Sequence, residues 1–140
     1  MSSDHEALRA AALAAAARAY APYSGFHVGA VLLDGGGRHF VGANLENASY
    51  GLTICAEVSA LAAANMAGAM RRLAAVAVIG GRPDAQGRLT GADPVMPCGR
   101  CRQMLFEAAR LSGTDLAVHA FSGDGTAHRH TTISALLPEA

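Results

Sequence analysis

The three cysteines of the chain stand in two short phrases, Cys55-Ala56-Glu57 and Pro97-Cys98-Gly99-Arg100-Cys101. Each phrase falls where an irregular segment hands over to a helical pattern. If the thiols meet, two helix starts distant in sequence must converge on one point. Helix starts carry unpaired N–H groups and favour negative charge, which ionised thiols supply. Pro97 fits just before the second helix, where no backbone donor is needed.

Around these phrases the order of elements is readable. Ser3 to Ala19 reads as an alanine-rich helix, with Ser3 and Glu6 in capping-box spacing. Tyr20 to Gly25 turns. His27 to Leu33 and Arg38 to Ala43 read as a hairpin around Gly35-Gly36-Gly37. Asn44 to Ile54 is polar and irregular. Cys55 to about Met70 is helical and apolar nearly all round, the pattern of a helix buried between layers. Leu73 to Ile79 has the unbroken apolar run of an interior strand. A loop from Gly80 to Pro97 leads to a helix from Gly99 to Leu111 and a strand from Asp115 to Phe121. Gly123 to Gly125 turns, and Thr132 to Leu137 is expected to form a short last helix. His128 and His130 fall on alternate positions of a polar segment and are expected to be simply exposed. The order helix, hairpin, helix, strand, helix, strand implies a mixed sheet with helices on both faces and its last strands parallel.

With 140 residues, no internal repeat and no dividing linker, the expectation is one domain spanning 1–140. Net charge is zero, which argues against nucleic-acid backbone binding. Asp4 and Glu6 occupy the stretch that a secretion signal would make basic. Glu57 and Asn65 break the best candidate for a membrane span. An odd cysteine count without a scattered framework argues against disulfides. The expected location is the cytoplasm, with no membrane and no nucleic-acid partner.

Three soft ligands with an acid beside them point to a zinc ion that keeps one open position for water. Cys55, Cys98 and Cys101 are the candidate ligands. Glu57, two residues beyond a ligand, is placed to carry protons rather than to bind the metal. A redox C-x-x-C pair would not need the third cysteine, and a purely structural zinc site would want a fourth Cys or His. A binding module without chemistry would not need Glu57.

Further phrases sharpen this reading: Tyr20-Ala21-Pro22-Tyr23-Ser24-Gly25-Phe26, Val28-Gly29-Ala30, and Gly42-Ala43-Asn44-Leu45-Glu46-Asn47-Ala48-Ser49-Tyr50. With the cysteine phrases they resemble the small, homotetrameric, zinc-dependent cytidine deaminases, from about Tyr20 to Glu107. The resemblance implies a three-layer α/β/α sandwich around a central mixed five-stranded sheet and one Zn²⁺ per subunit. It implies hydrolysis of cytidine or 2′-deoxycytidine to the uridine product plus ammonia, a pyrimidine-salvage reaction. In that reading zinc-bound hydroxide attacks C4 and Glu57 shuttles protons. Phe26 packs edge-on against the pyrimidine, Asn44 and Glu46 hold the ribose 3′-hydroxyl, and the Ala56 carbonyl accepts from the 4-amino group. Ala48 and Tyr50 reach the sugar's 5′ end in a neighbouring subunit.

Two departures stand out. Val58 occupies the place where relatives usually carry an arginine that offsets thiolate charge, so Arg100, Arg102 or the helix dipoles must supply the compensation. Relatives also continue past the Leu137-Pro138 phrase with an aromatic that closes a neighbour's pocket, whereas this sequence ends at Ala140. The alternative within the same chemistry is a blasticidin-S-type deaminase, which shares Pro-Cys-Gly-Arg-Cys-Arg-Gln. The Asn44-to-Asn47 grip favours the cytidine reading.

Overall fold

The computed structural model describes residues 3–140, and the side chains from residue 5 onward. Helix α1 spans Ser3–Ala16. The expected Ser3 cap therefore lies outside the described side chains, and the Glu6 carboxylate instead pairs with Arg9 at 2.6 Å. The helix stops three residues earlier than the alanine run predicts, closing through the Arg18 N–H to the Ala15 carbonyl at 2.9 Å.

Strands β1 (His27–Asp34) and β2 (His39–Ala43) form the expected hairpin. Asp34 stabilises its turn by accepting from the Gly36 and Arg38 N–H groups at 2.9 and 2.8 Å. Helix α2 (Ala56–Met66), strand β3 (Leu73–Gly81), helix α3 (Gly99–Ser112), strand β4 (Ala117–Ser122), strand β5 (His128–Thr132) and helix α4 (Ile133–Leu136) complete the chain. The sheet order is β2-β1-β3-β4-β5. Among the named strands of the described residues only β3 and β4 pair in parallel, joined through α3 as the crossover rule requires.

Strand β3 sits at the centre and is buried on both faces, which explains its unbroken apolar run. Its residues divide between two cores. Val76 and Val78 join Leu32, Leu61, Leu105 and Leu116 beneath α2 and α3, whereas Ala77 and Ile79 join Leu8, Ala12, Val31 and Phe121 beneath α1. The fold is thus a three-layer α/β/α sandwich around a mixed sheet.

Two glycines set how closely the layers approach. A Cβ on Gly29 of β1 would lie 1.9 Å from the Ala12 carbonyl oxygen of α1. On the other face, a Cβ on Gly42 of β2 would lie 2.4 Å from the Ala60 nitrogen and 2.5 Å from the Ala56 oxygen of α2. Both helices rest their backbones directly on the sheet at these points.

Two expectations are corrected. Helix α2 ends at Met66 rather than near Met70, turned off at Ala67 and Gly68, whose φ is +76°. Only one side of it is covered: Ala60, Leu61 and Ala64 are buried, but Met66 is 85% exposed. His130 is exposed as expected and His128 half-buried, but the segment that holds them is a strand, β5, paired antiparallel with β4. Its polar alternation concealed it because an edge strand needs only backbone bonds and one covered face. His119 of β4 is buried beside it, and burial together with the neighbouring imidazoles of His5, His130 and His128 holds its pKa down to about 4. Among the described residues no helix is long and apolar enough to cross a membrane.

Candidate metal and nucleoside site

Cys55 is the N-cap of α2 and Cys98 the N-cap of α3, both with extended backbone. Cys101 follows one turn into α3 and is fully buried. Cys55 Sγ lies 3.9 Å from Cys98 Sγ, and Cys98 Sγ lies 3.5 Å from Cys101 Sγ. All three sulfurs are within 4.8 Å of one another. Sulfurs held tetrahedrally at about 2.3 Å from a shared zinc ion would stand about 3.8 Å apart, so the donor set and its spacing fit zinc.

The thiols are electrostatically coupled. Hydrogen bonding from Cys101, then from Cys98, and the charge of Arg100 lower the Cys55 pKa to about 6 despite its partial burial. The same hydrogen bond to Cys55, with burial and the nearby Glu57 charge, pushes Cys101 upward. Arg100 is thus the cation whose charge reaches the Cys55 thiolate, where Val58 brings none. Arg102 has another task, donating to the Pro97 carbonyl at 2.7 Å and the Leu136 carbonyl at 3.3 Å, which fixes the backbone just before Cys98.

Glu57 lies in the first turn of α2 and is only 5% exposed. Burial is the main reason its carboxyl is held above the ordinary range, and the Cys55 charge adds to it. It lines a cavity of about 180 Å³ together with Val28, Asn44, Thr53, Cys55, Ala56, Val95, Met96 and Cys98. A larger hollow of about 660 Å³ on the α1 face is lined by residues such as Leu13, His27 and Asp124 and holds no thiol. The chemistry selects the smaller one.

Asn44 also reaches this cavity, anchored at both ends of its amide. Its Oδ1 accepts from the Val28 N–H and its Nδ2 donates to the Phe26 carbonyl, each at 2.9 Å. One N–H and one lone pair stay available to a ligand. Phe26 does not line the cavity; its ring edge lies beside Gly80, next to Val28 and Val95, which do. Ala56 forms part of the wall, but its carbonyl faces Gly42 on β2, within the helix's own hydrogen-bond ladder.

Glu46 faces an adjacent hollow of about 340 Å³ with Tyr23, Ser24, Tyr50 and Thr53. Its carboxylate accepts from the Tyr23 and Ser24 N–H groups at 3.0 and 3.1 Å and from the Ser24 hydroxyl. These bonds, the Ser24 hydroxyl first, keep it ionised below the usual range. Thr53 borders both hollows and joins them. Tyr50 stands 74% exposed with its ring edge-on to Tyr23, and Ala48 is exposed beside it. Sequence reading did not single out Thr53, Val95 or Met96, whose signal was proximity to the cysteine phrases, and it offered Arg102 only as a charge partner for the thiols.

Three thiols beside a buried carboxyl group suit metal-assisted hydrolysis, and in this α/β/α frame they define a zinc-dependent deaminase. Residues 2–112 match the family described as "Cytidine and deoxycytidylate deaminase zinc-binding region", and the chain belongs to that family. It is 42% identical over 137 residues to a cytidine deaminase of Halalkalibacterium halodurans, covering 98% of this chain and 93% of the relative. It is 47% identical over 104 residues to one of Mycobacterium tuberculosis, covering 74% and 71% respectively. The crystal structure of cytidine deaminase from Burkholderia pseudomallei superposes with a TM-score of 0.83 at 42% identity, covering 100% of this chain and 99% of that one.

Proposed function

We propose that this chain is a single-domain, zinc-dependent enzyme that hydrolyses cytidine or 2′-deoxycytidine to the uridine product and ammonia. The observation that carries the site assignment is the trio Cys55, Cys98 and Cys101 gathered at two helix N-termini, with Glu57 buried beside them in one cavity. These three residues would hold the metal. When bound, zinc supplies the Lewis acidity that makes a water nucleophilic near pH of about 7.

The protein's own part is orientation and proton transfer. A base seated in the cavity would lie against Glu57, whose carboxylate would carry both protons of the attacking water in turn, the first to N3 as the C4–O bond forms and the second, from the new C4 hydroxyl, to the departing amine. Burial supports this role, because a carboxyl held above the ordinary range is a stronger base toward the proton of the water. Phe26, beside the cavity wall, and the main chain at Ala56 confine the ring. Asn44 keeps one donor and one acceptor for the sugar, and ionised Glu46 has a remaining acceptor site for a hydroxyl. A substrate lying across Thr53 would put its base over the thiols and its sugar toward Glu46.

The exposed Tyr50, Leu52 and Met66 support a homotetrameric assembly in which Ala48 and Tyr50 serve a neighbouring subunit's sugar. The enzyme's place is the cytoplasm, where thiols stay reduced. The test is loss of ultraviolet absorbance on cytidine with zinc-loaded protein. Glu57→Ala should lower turnover by about 10²- to 10⁴-fold while metal analysis still finds one zinc per subunit. A variant that deaminates at the parental rate would refute the assignment.

A further inference from the structure

Four imidazoles collect on the sheet face opposite the thiols. His119 of β4 pairs in register with His130 of β5, and Phe121 with His128, so these four rings project to one side. They stack in two near-parallel pairs: His119 on His130 at 4.5 Å and 15°, and Phe121 on His128 at 4.6 Å and 11°. His5 leans over them from the first turns of α1, its ring centroid 4.3 Å from that of His119 and 5.5 Å from that of His128.

We propose that His5, His119 and His128 form a second metal site, specific for a divalent late transition ion such as Ni²⁺ or Zn²⁺. One ring nitrogen from each lies within 4.8 Å of the other two. His119 Nδ1 and His128 Nε2 are 3.2 Å apart. Two imidazole nitrogens bound tetrahedrally to a shared ion at about 2.05 Å would stand about 3.3 Å apart, so this pair is already at ligand spacing. A hydrogen bond between His119 and His128 would account for their 3.2 Å approach, and ring stacking for contact between faces, but neither brings a His5 nitrogen from a third element within 4.8 Å of both. Imidazole is the ligand that zinc, copper and nickel favour, whereas hard cations take oxygen.

The site is independent of the thiol centre. Val118 and Ala120 alternate with His119 along β4 and face away from it; Val118 joins the core beneath α2 and α3. A bound ion would tie the start of α1 to the edge hairpin β4–β5, joining segments more than a hundred positions apart.

The test is equilibrium dialysis of enzyme loaded with a single equivalent of zinc, held at the thiol site, against Ni²⁺ at pH 7.5, with both metals counted and cytidine turnover measured in parallel. The expected result is one added Ni²⁺ per subunit with Kd below about 100 µM, no zinc released, and a Tm raised by several degrees at saturating metal. His5→Gln and His128→Gln should each weaken that binding at least about tenfold and leave turnover unchanged. Both positions are less buried than His119, so folding is not at stake. Absence of a second equivalent, displacement of zinc instead of added binding, or parental Ni²⁺ affinity in either variant would overturn the proposal.

Discussion

Gly42 is where the sheet sets the position of the candidate catalytic helix. An alanine there adds one methyl group, 2.4 Å from the Ala60 nitrogen and 2.5 Å from the Ala56 oxygen. Neither atom belongs to a side chain that could swing away. Restoring an ordinary contact of 3.4 Å requires α2 to recede by about 1 Å. Cys55 and Glu57 ride on the first turn of that helix, so the displacement falls on the metal and proton-transfer groups together. Overpacking of this kind costs about 1–3 kcal/mol of stability, and a misplacement of about 1 Å at reacting groups costs about 10²-fold in rate. Gly42→Ala should therefore bind zinc more weakly and lose about two orders of magnitude in kcat/KM for cytidine. Gly29→Ala is the matched control, because its clash at 1.9 Å is with α1 on the other face. It should lower Tm at least as much, yet keep zinc and turnover per folded molecule within about twofold of the parent. Tm, zinc content and absorbance-based kinetics of the two variants decide the matter. Parental kcat/KM in Gly42→Ala, or equal kinetic losses in both, would refute the claim that Gly42 positions the site.

Arg102→Ala removes two donors to the Pro97 and Leu136 carbonyls and should weaken zinc binding about 10-fold in chelator competition, because Cys98 then hangs from a looser turn. Asp115 accepts from the Ser134 N–H at 3.1 Å and from its hydroxyl, and the hydroxyl is the main reason its pKa lies below 3.8. A depressed carboxyl stabilises the fold above the unfolded value and loses that contribution as pH falls through the folded one. The Tm gap between parent and Ser134→Ala should accordingly be fully open above pH 3.8 and close on further acidification; a gap independent of pH would contradict it.

The central strand, the hairpin and both thiol-bearing helix starts were legible because each rests on a local signal: an unbroken apolar run, a glycine turn, a cysteine or proline at a helix start. The zinc donors were legible because only three cysteines exist and only one geometry uses all of them. Strand β5 was not, since the alternation His128-Arg129-His130 reads as solvated surface until β4 supplies its bonds. The end of α2 was missed because alanines and methionines carry the helical pattern past the point where Gly68 turns the chain. The division of labour between Arg100 and Arg102 was likewise invisible, because it depends on which carbonyls and thiols each guanidinium meets. Convergence of four histidines is a matter of register and helix placement, and no spacing in the sequence announces it.

Because Cys55 and Cys98 start different helices with β3 between them, an ion shared by their sulfurs would act as a clasp across a loop of 43 residues. Opening that clasp would release the central strand's flanking helices as well as the reactive centre. Zinc starvation would then deplete the folded protein itself, and the cell would lose enzyme molecules rather than merely idle ones.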